Sequence, residues 1–260
     1  MPNQSAHTLI LHLPFSWGAA TDTGSVRSEN QDAFLVEPEL GLFLVSDGMG
    51  GHRGGALAAN MVAEDLPVMI ETRLGELKSV TPRTIRALLK KTIAEQNRQL
   101  RLEGASETGY RGMGATLVIL LLKDGRAYTA NLGDSRIYRF RAGRLTQLTK
   151  DHSVVSELLS EGKIKPEEAQ DHAAAAEITG YVGMEEEVEP YVRSFILGNN
   201  DRFLLCTDGL TAMVSDADIA EILRNRQDAA SASEALITAA NAAGGYDNIT
   251  AVTVDWHGRS

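Results

Sequence analysis

The spacing of apolar positions changes several times along the chain, and each change marks an element. Thr8–Leu13 and Ser16–Ala20 are short extended candidates, and Asp32–Val36 and Leu42–Ser46 are β-rich runs joined by a turn at Leu40-Gly41. From Gly54 to Leu74 the Ala, Met, Val and Ile positions take helical spacing. Thr81–Leu102 repeats it, with Ile85, Leu88, Leu89, Ile93 and Leu100 on one stripe and charged residues opposite. The middle predicts hairpins. Ala115–Leu122 and Ala127–Leu132 flank Asp124-Gly125, a dipeptide suited to the positive φ angles of a two-residue turn, and Arg136–Phe140 and Leu145–Leu148 flank Ala142-Gly143. Short helices are expected between Asp151 and Gln170, one ending on Gly162 and the next opened by Pro166. Strands Tyr191–Ile196 and Arg202–Cys206, helices Asp216–Arg224 and Ala229–Ala243, and a last strand Ile249–Val254 complete the pattern. Strands in antiparallel blocks and helices in separate pairs predict an α+β layered protein rather than alternating βαβ units. No Pro- or Ser-rich linker divides residues 1–260, so one domain is expected.

The chemistry-bearing signal is where the aspartates fall. Phe43-Leu44-Val45-Ser46-Asp47-Gly48 is echoed by Leu204-Leu205-Cys206-Thr207-Asp208-Gly209, each an apolar run closing on a small hydroxyl residue, Asp and Gly. Asp134, Asp247 and Asp32 also lie at the edges of apolar strands. A single Asp-Gly is explained well enough by a turn or a helix cap. Five such positions with few Arg or Lys beside them are harder to explain, because ionised carboxylates resist desolvation. Carboxylates converging on one point need cations, and oxygen ligands without a His/Cys cluster favour Mg²⁺ or Mn²⁺ over Zn²⁺. Arg27, close in sequence to Asp32, is a candidate clamp for a phosphate oxygen pair, being planar and always charged. His52, in Asp47-Gly48-Met49-Gly50-Gly51-His52, is a candidate general acid. A surface ion pair for Arg27 and an exposed structural role for His52 are the plain alternatives.

Composition narrows the picture. The 35 Asp and Glu against 25 Lys and Arg give a net charge of −10, which excludes a basic nucleic-acid-binding face. A lone cysteine, Cys206, excludes an internal disulfide framework and fits a reducing compartment. The N-terminus lacks the basic start of a signal peptide. Leu117–Leu122, the longest apolar stretch, is far short of the about 20 residues that span a membrane. A cytoplasmic chain with no membrane partner is expected.

Taken in order, the motifs resemble those of the metal-dependent protein phosphatases, the PP2C-like serine/threonine phosphatases, in their compact bacterial form. The resemblance runs from about Ala19 to Asp255. It rests on Gly24-x-x-Arg27-x-x-Asn30-x-Asp32, Asp47-Gly48-Met49-Gly50-Gly51-His52-x-x-Gly55, Gly112-Met113-Gly114-Ala115-Thr116 and Gly133-Asp134-Ser135-Arg136. Leu148-Thr149-x-Asp151-His152, Leu205-Cys206-Thr207-Asp208-Gly209-Leu210 and Asp247-Asn248-Ile249-Thr250 follow. It implies two antiparallel sheets packed as a sandwich with a helix pair outside each, and a binuclear Mn²⁺/Mg²⁺ centre at one end. Asp47 would bridge the metals, the Gly48 carbonyl would ligate one, Asp208 and Asp247 would complete the other, and Asp32 would hold metal-bound water. Asp134 with Asp208 matches a third, weaker metal site, Arg27 the phosphate-binding arginine and His52 the proton donor. The bridging hydroxide would attack phosphorus in line, with no covalent phosphoenzyme, which leaves Cys206 as a core residue. The partners implied are proteins phosphorylated on Ser or Thr by a protein kinase, acted on by a monomer.

Two positions depart from the family pattern. Gln31 stands where many members carry Glu, removing one negative charge from the metal pocket. The stretch Ala173–Gly183, just after an expected flap at about 153–171, lacks an Arg that bacterial members often have there. A catalytically weak phosphatase-like module, supported by Gln31, is the alternative. A dinucleotide-binding loop at Gly48-x-Gly50-x-x-x-Gly54 is disfavoured, because Asp47 would repel a pyrophosphate and no second parallel strand follows.

Overall fold

The computed structural model describes residues 13–106, 110–169, 172–174 and 177–258, with residues 51–53 and 166 described by their backbone alone. The expected strand at Thr8–Leu13 thus lies almost wholly outside the described residues. The chain opens with β1 (Phe15–Asp22), β2 (Asp32–Glu37) and β3 (Leu42–Met49), followed by α1 (Gly51–Gly75) and α2 (Pro82–Ser106). The hairpin region gives β4 (Gly114–Ala115), β5 (Leu117–Lys123), β6 (Arg126–Leu132), β7 (Arg136–Arg141) and β8 (Arg144–Gln147). After α3 (Val154–Ser160) and a 3₁₀ turn at Pro166–Glu168 come β9 (Tyr191–Ile196) and β10 (Arg202–Cys206). The chain closes through α4 (Asp208–Thr211), α5 (Asp216–Asn225), α6 (Ala229–Ala242) and β11 (Ile249–Trp256).

The strands form two antiparallel sheets, one in the order β1-β11-β10-β7-β8, the other β2-β3-β5-β6-β9 with β4 paired to the end of β3. Side-chain alternation explains the layering. On β3 and β5, Leu42, Leu44, Ile119 and Leu121 pack under α1 and α2, whereas Phe43, Val45, Val118 and Leu120 pack against the other sheet. On the other sheet, Phe203, Leu205, Val252 and Val254 face inward, while Leu204, Cys206 and Ala251 face α5 and α6. A strand covered on both faces reads as an unbroken apolar run, which is why Leu117–Leu122 shows no alternation. The expected α-β-β-α sandwich is therefore what the chain forms, and Cys206 is fully buried in it.

Most differences from the expected elements are at their ends. β3 runs on to Met49 because Gly48 and Met49 pair with Ala115 and Gly114. α1 starts at Gly51, three residues early, behind Gly50 at a φ of 122°. Asp208–Thr211 makes a helical turn that the sequence pattern does not announce. Among the described residues, no helix is long and apolar enough to cross a membrane.

Candidate active site

The C-terminal ends of β3 and β10 and the starts of β2 and β11 come together at one end of the sandwich. Antiparallel pairing sets Asp32 directly opposite Asp47, which places two like charges in register across neighbouring strands. Such a pair is destabilising on its own. Asp47 is fixed by its backbone: its N–H donates to Thr116 Oγ1 (3.0 Å) and its carbonyl accepts from the Thr116 N–H (2.8 Å). Asp32 Oδ2 accepts from Thr207 Oγ1 (2.9 Å), just past β10, and Thr250 Oγ1 (2.7 Å), on β11, so both bonds come from the other sheet's side of the sandwich. The two sheets therefore meet on one carboxylate oxygen.

Two glycines explain how closely the segments approach. A Cβ on Gly48 would overlap the Gly55 carbonyl oxygen, so the end of β3 can lie against the first turns of α1 only without a side chain. A Cβ on Gly209 would likewise overlap the Asn248 carbonyl oxygen, so glycine lets the Asp208 turn sit against Asp247-Asn248. The recurring Asp-Gly is thus a device for crowding a second backbone segment against the carboxylate.

Arg27, Asp47, Gly48, Asp208 and Asp247 line one cleft of about 580 Å³, together with Glu29, Gln31, Ile178 and Tyr181. Asp134 lines a neighbouring cleft that shares Asp208 with the first. His52 falls in the first turn of α1, and its side chain is outside the described set. Arg27 Nη2 donates to Asp247 Oδ2 at 2.8 Å, so the candidate phosphate clamp also touches a candidate metal ligand. Gln31 Nε2 donates to Glu29 Oε1 at 2.6 Å, and both line the cleft. The charge absent at position 31 has a neighbour in Glu29.

The electrostatics are those of carboxylates crowded together out of water. Desolvation pushes the Asp32 carboxyl up to about 7, against the opposing bonds from Thr250 and Thr207. Desolvation, reinforced by Asp208, pushes Asp134 up to about 7. Asp47 is raised well above the usual range by desolvation, with Asp32, Asp208 and Asp134 adding repulsion. Asp208 is raised by desolvation and by Asp247. Asp32 Oδ1, Asp134 Oδ1 and Asp208 Oδ1 are buried with no hydrogen-bond partner. Buried polar atoms nearly always have partners, so three orphaned acceptors around one pair of clefts suit a divalent cation with oxygen ligands. Among the described residues, no three His, Cys, Asp or Glu side chains already stand in ligand geometry.

Three residues of the quoted motifs contribute without a role assigned to them from the sequence. Asn248 is buried and ties three segments together: its Oδ1 accepts from the Gln31 N–H (2.8 Å), and its Nδ2 donates to the Thr23 and Glu29 carbonyls (both 2.9 Å). Its position directly after Asp247 was the available signal. Thr207 and Thr250, which hold Asp32, stand inside the quoted motifs, but nothing in the sequence says which carboxylate they serve.

An α-β-β-α sandwich with a carboxylate-lined cleft at one end and an arginine at its rim defines a class, and comparison with known proteins agrees. The Protein phosphatase 2C family model matches residues 24–243, and the chain belongs to that family. The protein phosphatase PhpP of Streptococcus pneumoniae is 38% identical over 238 residues, which cover 90% of this chain and 94% of that protein. The structure of the serine/threonine phosphatase Stp1 from Staphylococcus aureus superposes with a TM-score of 0.84 at 30% identity, covering 94% of this chain and 96% of that one. The catalytic domain of the phosphatase PstP, in complex with 2 manganese ions, superposes with a TM-score of 0.77 at 32% identity, covering 94% and 99%. The protein is accordingly a protein serine/threonine phosphatase.

Proposed function

We propose that the chain, as one domain, hydrolyses phosphoserine and phosphothreonine in proteins with two Mn²⁺ or Mg²⁺ ions. Asp47, the Gly48 carbonyl, Asp208 and Asp247 would hold the pair, and Asp134 with Asp208 a third, weaker ion. The observation that carries this reading is the set of three buried, unpartnered carboxylate oxygens on Asp32, Asp134 and Asp208. The manganese ions of the similar PstP domain support it. When bound, the cations supply a low-pKa water as nucleophile and charge stabilisation of the phosphoryl oxygens.

The chain's own residues do the rest. Asp32 has one oxygen locked by two threonine hydroxyls, which leaves Oδ1 to hold and orient the attacking water. Arg27 spends one N–H on Asp247 and keeps its other donors for phosphate oxygens at the rim of the cleft. His52 would donate the proton to the leaving alkoxide. The segment 153–171, which carries α3, would act as a flap over the clefts and engage the phosphoprotein, the product of a Ser/Thr protein kinase. Glu29 beside Gln31 weighs against a catalytically weak module, since a carboxylate remains in that corner of the cleft.

The test is a Mn²⁺ titration while following phosphate release from a phosphothreonine peptide. Turnover that requires Mn²⁺ and stops with EDTA and with Asp208→Asn is expected. Full activity of Asp208→Asn would sink the ligand assignment, and metal binding without turnover would favour the module. For His52, the expected result with His52→Ala is a larger loss on alkyl than on aryl phosphates. Equal losses would remove it from the acid role.

A further inference from the structure

We infer that His152 is a positioning residue, which sets the Asp134 carboxylate beside Asp208 through the turn at Gly133. The inference rests on the reading of Asp134 as a ligand of the weaker cation. Asp134 itself sits on a tight turn between β6 and β7 and lines the cleft that shares Asp208. Gly133 just before it is gripped from both sides by one residue. The His152 backbone N–H donates to the Gly133 carbonyl at 2.9 Å. The ring Nδ1 lies 3.2 Å from the Gly133 nitrogen and 3.3 Å from its carbonyl oxygen. Either tautomer therefore pairs with Gly133: a bare Nδ1 accepts the N–H, and a protonated Nδ1 donates to the carbonyl.

The other face of His152 is anchored to the main cleft. Its carbonyl accepts from the Thr179 N–H at 2.8 Å, Ser153 bridges to Ile178, and a Cβ on Gly180 would come within 3.2 Å of the His152 Cβ. Ile178 and Tyr181 line the cleft that holds Asp47 and Asp247. His152 thus joins the Asp134 turn to the wall of the main cleft across the base of the 153–171 segment. Asn131 Nδ2, on β6, donates to the Lys150 carbonyl at 2.8 Å and to the Gly133 carbonyl at 3.4 Å, but only His152 also reaches the Gly133 nitrogen. Residues that orient a metal ligand from outside typically govern affinity by about 10- to 100-fold.

The experiment uses the whole chain and reads free Mn²⁺ by electron paramagnetic resonance during titration, with thermal melting in parallel. An Asn side chain carries an amide to the position of Nδ1, whereas Gln carries it to that of Nε2. The expected result is that Asp134→Asn removes the weakest Mn²⁺ step and that His152→Gln weakens the same step by about tenfold. His152→Asn should stay within about threefold of the parent, and the tighter steps should hardly move. The double variant His152→Gln/Asp134→Asn should be no weaker than Asp134→Asn alone. If Asn and Gln behave alike, or His152→Gln leaves at its parent affinity the step that Asp134→Asn removes, the positioning role is overturned while Asp134 stands. If Asp134→Asn alters no Mn²⁺ step, the ligand assignment falls and takes the positioning role with it.

Discussion

β10 and β11 run side by side, and both carry charged residues at their two ends, with opposite outcomes. At one end Arg202 lies across from Asp255, with Nη2 2.8 Å from Oδ2, and donates further to the carbonyls of Leu223 and Arg226. Arg141 on β7 pairs with the buried Asp201 there as well. At the other end Asp208, just past β10, and Asp32, on β2 across the sandwich, keep buried oxygens without hydrogen-bond partners, while the arginines there are engaged elsewhere, Arg27 with Asp247 and Arg136 with Asp151. Carboxylates at the two ends of the sandwich thus serve opposite purposes. Where an arginine completes the pair the carboxylate holds the fold together, and where none does it waits for something from solution. The arginine partner, not the number of acidic residues, distinguishes a staple from a site.

The sharpest test of that contrast is activity. Asp208→Asn should lower kcat/KM at least about a hundredfold, because several kcal/mol of charge stabilisation depend on the cations it holds. A matching Asp255→Asn should leave kcat/KM on a phosphopeptide within about twofold. At the paired end the effect is on stability instead. Asp255→Ala strands Arg202 in a nearly enclosed pocket and should cost about 3 kcal/mol by urea denaturation, the scale for breaking a buried pair.

The unpaired end should behave in the reverse sense with pH. Asp32 and Asp134 bind protons up to about 7 in the fold, against 3.8 when free, so between those values the folded form holds protons that the unfolded chain has released. Their contribution is complete below pH 3.8 and fades as pH rises through 7. Melting in EDTA should therefore occur at a lower temperature at pH 8 than at pH 5.5, and Mn²⁺ should flatten or invert that slope. An EDTA melting point that climbs from pH 5.5 to pH 8 would falsify the account of the cleft. Asp208→Asn should raise the melting temperature in EDTA at pH 8, because burial and the nearby Asp247 disfavour the charged form of Asp208. The smallest expected change belongs to Arg27→Ala. The Arg27–Asp247 pair is well exposed, so stability should move by less than about 1 kcal/mol while KM rises and Mn²⁺ affinity stays nearly intact.

Much of this was legible in the sequence, for identifiable reasons. The order of strands and helices follows from local periodicity, and β9 and β10 have the bounds that the pattern gives. The aspartates at strand ends are visible because each interrupts an apolar run. What stayed hidden depends on partners distant in the chain. Nothing near Asp32 announces that β2 pairs with β3 in the register that sets it against Asp47, or that its oxygen meets hydroxyls from residues 207 and 250. The close approach of β3 to α1 depends on Gly48 and Gly55, two glycines that only matter where they cross. His152 works through Gly133 backbone atoms, which carry no sequence signature at all.

The double burial of β5 also bears on how the protein is made. Leu117, Ile119 and Leu121 find cover in α1 and α2, which precede them. Val118, Leu120 and Leu122 are covered largely by Phe203, Leu205, Val252 and Val254, near the end of the chain. During synthesis the nascent polypeptide therefore carries a bare, β-prone, uncharged face for more than a third of its translation. That interval is when chaperone capture matters and when aggregation competes most strongly with folding.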